Sequence, residues 1–279
     1  MSDARIGTDF AGYHIEGTAG TGGMGMVYDA MAPDGTRVAL KIAKRELARD
    51  GTFRQRFARE AMIAKTVRHP HVVSALDSGE CEGLPYLAAQ FIDGMSLERK
   101  LTKEGRLRVA AIVTICIQVG EGLQAMYDAG LVHRDVKPGN ILIERTGKAY
   151  ITDFGLAKDN AGSILTEPGQ ALGSLEYMAP EQIRGEEVTA AADVYSLGCV
   201  AYECLYGKRP FADRAGLLVL WAHLQDEPPD PPVEWASPEF VRALRTGLAK
   251  QVEDRPATAI EYARMLARAA DISLTSASV

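Results

Sequence analysis

Apolar and polar residues alternate with a period near two in the first third of the chain, and turn residues interrupt the alternation. Gly12–Gly20 leads into a glycine cluster, Met26–Ala30 reads as a returning strand, and Pro33-Asp34-Gly35 marks a turn before a third, more apolar strand at Arg37–Ala43. The period then changes. Phe53, Phe57, Ala61 and Ala64 recur at helical spacing among charges, which predicts a helix over Thr52–Val67 that Pro70 stops. Two apolar runs, Val72–Leu76 and Tyr86–Ile92, complete a unit of five strands and one helix. From Leu97 onward helical periods dominate. Val109–Ala129 is closed by Gly130 and Ala190–Tyr206 by Gly207, with further helices near Leu217–Leu224, Pro238–Leu248 and Ala259–Ala269. Glu227–Pro238 is rich in proline and reads as an extended connector, with a ligand for proline-recognising modules as the weaker alternative. The change of pattern puts a boundary near Ile92–Gly94. The expected organisation is an extension over residues 1–12, a strand-rich part over 13–93, a helical part over 94–268 and a flexible tail over 269–279.

Composition narrows the function classes. A chain of 279 residues exceeds what one core usually supports, so two lobes are expected. Apolar content of 47% with 24% charged residues is that of an ordinary soluble protein, and a net charge of -6 argues against general nucleic-acid binding. Cys81, Cys116, Cys199 and Cys204 form no C-x-x-C pair and read as reduced thiols in a cytoplasmic protein. The amino terminus lacks the apolar stretch of a signal peptide. The richest apolar runs, Val109–Val119 and Tyr195–Tyr206, are short for a membrane span and carry polar residues, so none is expected.

The chemistry concentrates in one stretch. His133-Arg134-Asp135, then Lys137, Asn140 and Asp153-Phe154-Gly155, place a proton-accepting carboxylate, a lysine and two metal-binding side chains close together. Phosphoryl transfer from Mg-ATP to a hydroxyl needs that set, because cations must hold the charge of the transferring group in line. Gly20-Thr21-Gly22-Gly23-Met24-Gly25 contains G-x-G-x-x-G, a weak signal alone that also marks dinucleotide folds. Here a strand, not a helix, follows, which favours a loop whose amides approach ATP phosphates. Lys41 lies in the apolar strand Val38-Ala39-Leu40-Lys41, and Glu60 in the following helix offers it a partner. The plain alternative for Lys41 is a solvent-pointing side chain.

Ala179-Pro180-Glu181, Asp193–Gly198 and Asp254-Arg255-Pro256 follow in order. With Gly22-Gly23-Met24-Gly25 and Val27-Tyr28 they make residues 13–266 resemble the bacterial branch of eukaryotic-like serine/threonine protein kinases. That resemblance implies an α+β, two-lobed kinase fold: a small five-stranded antiparallel lobe with one helix, a larger helical lobe, and ATP in the cleft between them. It implies that Asp135 is the base, that Lys137 neutralises the γ-phosphate in the serine/threonine-specific manner, and that Glu60 orients Lys41. Asn140 and Asp153 would hold Mg2+, with Mn2+ as a substitute. Gly20, Gly22, Gly25, Val27, Ala39, Lys41, Ala89, Gln90, Ile92 and Leu142 would bind ATP. Glu181 with Arg255, and Asp193, would be structural. Thr166 and Ser163 would be the phosphorylated residues, with phosphorylated Thr166 captured by Arg134, the plain alternative being that both hydroxyls only solvate a loop; Ser174 would position the substrate. The partners implied are protein substrates and, in many relatives, a second copy paired through the small lobe. Neither nucleic acid nor membrane is expected as a partner. The location implied is the cytoplasm, as a free enzyme or as the cytoplasmic part of a longer receptor kinase.

Three positions depart from the family pattern and enlarge the expected adenine pocket: Ala19 before the first glycine, Ala89 at the back, and Gln90 at the hinge. A fourth, Ser174 in place of threonine, keeps the hydroxyl. Small-molecule kinases share the Asp-Asn-Asp core but lack the Ala-Pro-Glu segment and its arginine. A non-catalytic scaffold would lack Lys41, Asp135 or Asp153, and all three are present.

Overall fold

The structure, a computed structural model, describes residues 4–153, 172–232 and 234–273. The residues up to Asp93 form one compact unit, and the described residues from Gly94 onward form another.

The first unit is built on an antiparallel sheet of six strands in the order β1-β2-β3-β4-β6-β5. These are β1 (Asp9–Phe10), β2 (Tyr13–Thr21), β3 (Gly25–Met31), β4 (Arg37–Ala43), β5 (Ala75–Cys81) and β6 (Leu84–Gln90). Alternation places Ile15, Tyr28, Leu40, Ile42, Tyr86 and Ala88 on one buried face. Burying a side chain such as Leu40 contributes about 1.5–3 kcal/mol.

Three details differ from the sequence expectation. A sixth strand, β1, pairs Phe10 with Tyr13 and is too short for any periodic signal. The strand expected over Val72–Leu76 starts later, as β5. Val72 and Val73 are buried ahead of it, whereas β5 is an edge strand whose Asp77, Ser78 and Glu80 carry no apolar pattern. Two helices are present where one was expected: a single turn, α1 (Arg45–Ala48), precedes α2 (Gly51–Ala64). The Asp50 side chain caps α2 by accepting from the Thr52 amide at 2.8 Å, and Phe53, Phe57, Ala61 and Ala64 form its buried stripe. α2 packs against β5 and β6.

The second unit carries a three-stranded sheet of β7 (Gly94–Ser96), β8 (Ile141–Glu144) and β9 (Ala149–Ile151). Its helices are α3 (Leu97–Glu104), α4 (Val109–Asp128), α5 (Pro180–Arg184), α6 (Ala190–Tyr206), α7 (Leu218–Gln225), α8 (Pro238–Gly247) and α9 (Ala259–Ala269). Every α6 residue from Ala191 to Tyr202 is buried, so this stretch of the helix is enclosed on all sides. At 20 residues α4 is long and apolar enough to cross a membrane, which corrects the shorter run read from the sequence. Half of that window is buried, and α4 packs on α9 and α6, which accounts for its composition. A Cβ at Gly120 would meet the Ala259 carbonyl of α9 at 2.9 Å, so the α4–α9 approach requires glycine there. The proline-rich connector is engaged by its own unit. Tyr202 donates to the Pro229 carbonyl at 3.1 Å and Arg245 to that of Pro228 at 3.1 Å.

Candidate active site

The loop before β8 is held in a conformation it would not adopt alone. Arg134 has φ of 62°, a left-handed value that costs a non-glycine residue about 1–3 kcal/mol. Asp193, in the first turn of α6, holds the strained turn: its carboxylate accepts from the His133 and Arg134 amides, each at 2.8 Å. Burial pushes the Asp193 carboxyl above its ordinary pKa, and these contacts with His133 and Arg134 oppose the rise. The Thr152 carbonyl can only accept, so His133 Nε2, 2.9 Å away, carries the ring proton. His133 Nδ1 then accepts from the Asp135 amide at 3.3 Å.

Asp135 is thereby presented with one oxygen doubly held. Its Oδ2 accepts from Lys137 Nζ at 2.9 Å and from Asn140 Nδ2 at 3.0 Å. Asn140 Nδ2 also donates to the Asp135 carbonyl at 2.8 Å, which fixes the amide orientation and leaves its Oδ1 as the acceptor atom. The β8–β9 pairing, with Ile141 opposite Ile151, returns the chain so that the Thr152 amide donates to the Asn140 carbonyl at 2.9 Å. Asp153, itself at φ of 60°, follows directly. An amide oxygen and a carboxylate are hard donors of the kind Mg2+ takes while phosphate and water oxygens complete its shell. Among the described residues no group of three or more His, Cys, Asp or Glu forms a self-sufficient metal site. A cation shared with a phosphate fits this donor set.

In the first unit, Val27 lies opposite Lys41 and Ala39 opposite Ala89, on the sheet face away from the apolar cluster. Lys41 is 8% exposed, which removes the solvent-pointing alternative. A buried ammonium needs anionic company, and Glu60 stands on α2, the helix packed on neighbouring β6. The four loop glycines separate into two kinds. A Cβ at Gly25 would sit 2.0 Å from the Ile42 carbonyl oxygen, whereas Gly20 and Gly23 face nothing within 4 Å and Gly22 only the Gly25 carbonyl at 3.8 Å. Packing demands the first and leaves the others unexplained by the fold. Ala89 is half-buried, Gln90 exposed and Ile92 buried, and Leu142 is half-buried on β8 of the second unit. Ala19 is exposed.

The structural pair is buried and bidentate. Arg255 meets both Glu181 oxygens at 2.7 and 2.8 Å, and donates its remaining protons to the carbonyls of Ala249, Ala191 and Lys250. Two contacts escaped sequence reasoning. Gln182 donates to the Arg134 carbonyl at 3.2 Å, and Tyr177 donates to Glu203 at 2.5 Å, partners 48 and 26 residues apart with no local pattern to mark them. Ser163, Thr166 and the side chain of Ser174 lie outside the described residues.

The family model described as protein kinase domain matches residues 13–265. The serine/threonine-protein kinase PknH of Mycobacterium bovis is 41% identical over 266 residues, covering 94% of this chain and 44% of the relative. PknA of Mycobacterium tuberculosis is 42% identical over 247 residues, covering 86% of this chain and 57% of the relative. The chain therefore spans about half the length of these curated relatives. The crystal structure of the Mycobacterium tuberculosis PknI kinase domain superposes with a TM-score of 0.78 at 28% identity, covering 97% of this chain and all of that one.

Proposed function

Because the chain belongs to the protein kinase domain family, we propose that it is a serine/threonine protein kinase acting on protein substrates with Mg-ATP. The observation that carries this reading is Asp135 Oδ2 held jointly by Lys137 and Asn140. In the reaction the substrate hydroxyl oxygen forms a bond to the γ-phosphorus, the bond from that phosphorus to the β-phosphate oxygen breaks, and ADP leaves. Asp135 accepts the hydroxyl proton. Lys137 supplies positive charge beside the transferring group. Bound Mg2+, or Mn2+ in its place, would neutralise phosphate oxygens, with Asn140 Oδ1 and the Asp153 carboxylate as its protein donors.

Lys41, oriented by Glu60, would contact the α- and β-phosphates, and the amides around Gly20, Gly22 and Gly25 would cradle them. That reading explains why Gly20 and Gly22 are glycines with open space around them. Val27, Ala39, Ala89, Gln90, Ile92 and Leu142 would surround the adenine. Ser174 would steady Asp135 and Lys137, while Asp193 and the Glu181–Arg255 pair hold the frame. For regulation, Arg134 Nε is buried with no hydrogen-bond partner among the described residues, a cation suited to a phosphorylated Thr166 or Ser163.

Incubating the protein with labelled Mg-ATP and a generic basic protein, followed by phosphosite mapping, tests the reading. Label on serine or threonine of the added protein and on Thr166 or Ser163, abolished by EDTA, is the expected result. Nucleotide binding without transfer to any hydroxyl would refute it.

A further inference from the structure

We propose that His223 is a positioning residue: a directed chain of hydrogen bonds through its ring fixes the segment Leu172–Tyr177 and hence where the protein substrate is held. The role in substrate binding rests on the kinase reading above.

His223 is fully buried on α7, among the least expected places for an imidazole unless both nitrogens are used. They are. Nε2 lies 3.0 Å from the Glu176 carbonyl oxygen, and Nδ1 lies 2.8 Å from the Tyr195 hydroxyl. A carbonyl only accepts, so Nε2 carries the proton. Burial, and secondarily the Lys250 charge, lower the His223 pKa to about 3, so the ring is neutral and Nδ1 is a bare acceptor. Tyr195 must therefore donate to it. Lys250 Nζ in turn donates to the Tyr195 oxygen and to the Ala222 carbonyl, each at 3.4 Å. The result is a one-way relay, Lys250 to Tyr195 to His223 to the backbone of Glu176. The opposite tautomer would aim a lone pair at the Glu176 carbonyl and a proton at the Tyr195 hydroxyl.

Among the described residues, the segment that the relay grips has other ties as well. The Glu176 side chain pairs with Arg209, the Tyr177 carbonyl accepts from Ser196 at 2.8 Å, and the Tyr177 hydroxyl binds Glu203. Phe211 packs against His223 in a T-shaped arrangement, with ring centroids 5.1 Å apart. An apolar residue would fill the same space with no desolvation cost, so the histidine is explained by the two groups it joins.

The test is hydrogen exchange by mass spectrometry on the full chain, comparing wild type, His223→Leu and Tyr195→Phe. The expected result for His223→Leu is exchange about tenfold faster across residues 172–178 with α9 unchanged. Tyr195→Phe should accelerate the same peptide about threefold. In parallel, the Michaelis constant for a protein substrate should rise while that for ATP stays constant, a split that general loosening would not give. Unchanged exchange at 172–178 in both variants, or equal acceleration in α9, overturns the proposal. If His223→Leu fails to fold, Tyr195→Phe, which removes one oxygen, decides alone. A wild type inert toward all hydroxyl substrates would refute the kinase reading, and the exchange comparison would still judge the relay.

Discussion

Replacing Gly25 with alanine separates what the glycine loop does for the fold from what it does for a ligand. The added Cβ would lie 2.0 Å from the Ile42 carbonyl oxygen and 2.9 Å from its carbonyl carbon. Both are backbone atoms of β4, so no side chain can rotate aside. Gly25 pairs with Ala43 in the β3–β4 ladder, and the strands would have to part by more than about 1 Å to restore normal contact. Overpacking of this kind costs about 2–3 kcal/mol. Alanine recovers about 0.4–1 kcal/mol by restricting the unfolded chain, which leaves a net loss of about 1–2.6 kcal/mol. At about 2–4 °C per kcal/mol for a chain of this size, melting should fall by roughly 2–10 °C. Gly23→Ala meets nothing within 4 Å and should melt like wild type or slightly higher. Thermal melts followed by circular dichroism, with ATP affinity by calorimetry, make the comparison. Gly25→Ala melting within about 1 °C of wild type would refute the packing argument.

Three other outcomes follow from particular contacts. Arg255→Ala leaves the Glu181 side chain, 2% exposed, buried without its partner, and urea denaturation should show a loss of about 3–5 kcal/mol. Replacing both by methionine and leucine should recover most of it. His223 has its pKa depressed in the fold, so the unfolded chain takes up a proton below about pH 6.5 while the native state does not until about pH 3. Stability should therefore fall as the pH drops, by about 2 kcal/mol from this group between pH 7 and 5, and His223→Leu should lack that share of the decline. Ala89 shares a sheet face with Ala39 and Lys41, and Ala89→Met should weaken inhibition by adenine analogues with bulky substituents at least roughly tenfold. Equal inhibition of the two proteins would show that Ala89 does not line the pocket.

The parts of the fold and site legible in the sequence are those set by short-range chemistry. Lys137 and Asn140 meet Asp135 because they follow it by two and five residues in a loop with a recurrent motif. The helix Ala190–Tyr206 ends where expected because Thr189 accepts from the Ala191 amide at one end and Gly207 adopts φ of 70° at the other. The family resemblance implies a structural role for Asp193, and its carboxylate accepts from the His133 and Arg134 amides. What could not be read depends on distant partners. The edge strand β5 is polar because neighbours cover only one side of it, and β1 is too short to show a period. His223 reaches Tyr195 and Glu176 across 28 and 47 residues, so its local sequence, an apolar helix with one histidine, gave no sign of a polar relay.

The most direct test of the central assignment is the rate of labelled phosphate transfer from Mg-ATP to a protein substrate by wild type and Asp135→Asn. Asparagine preserves the contacts' geometry but cannot take the hydroxyl proton, and loss of a general base costs about 10²–10⁴-fold in rate. A fall within that range, with nucleotide affinity unchanged, is the expected result. An Asp135→Asn protein within about tenfold of wild type would contradict the assignment of Asp135 as the base.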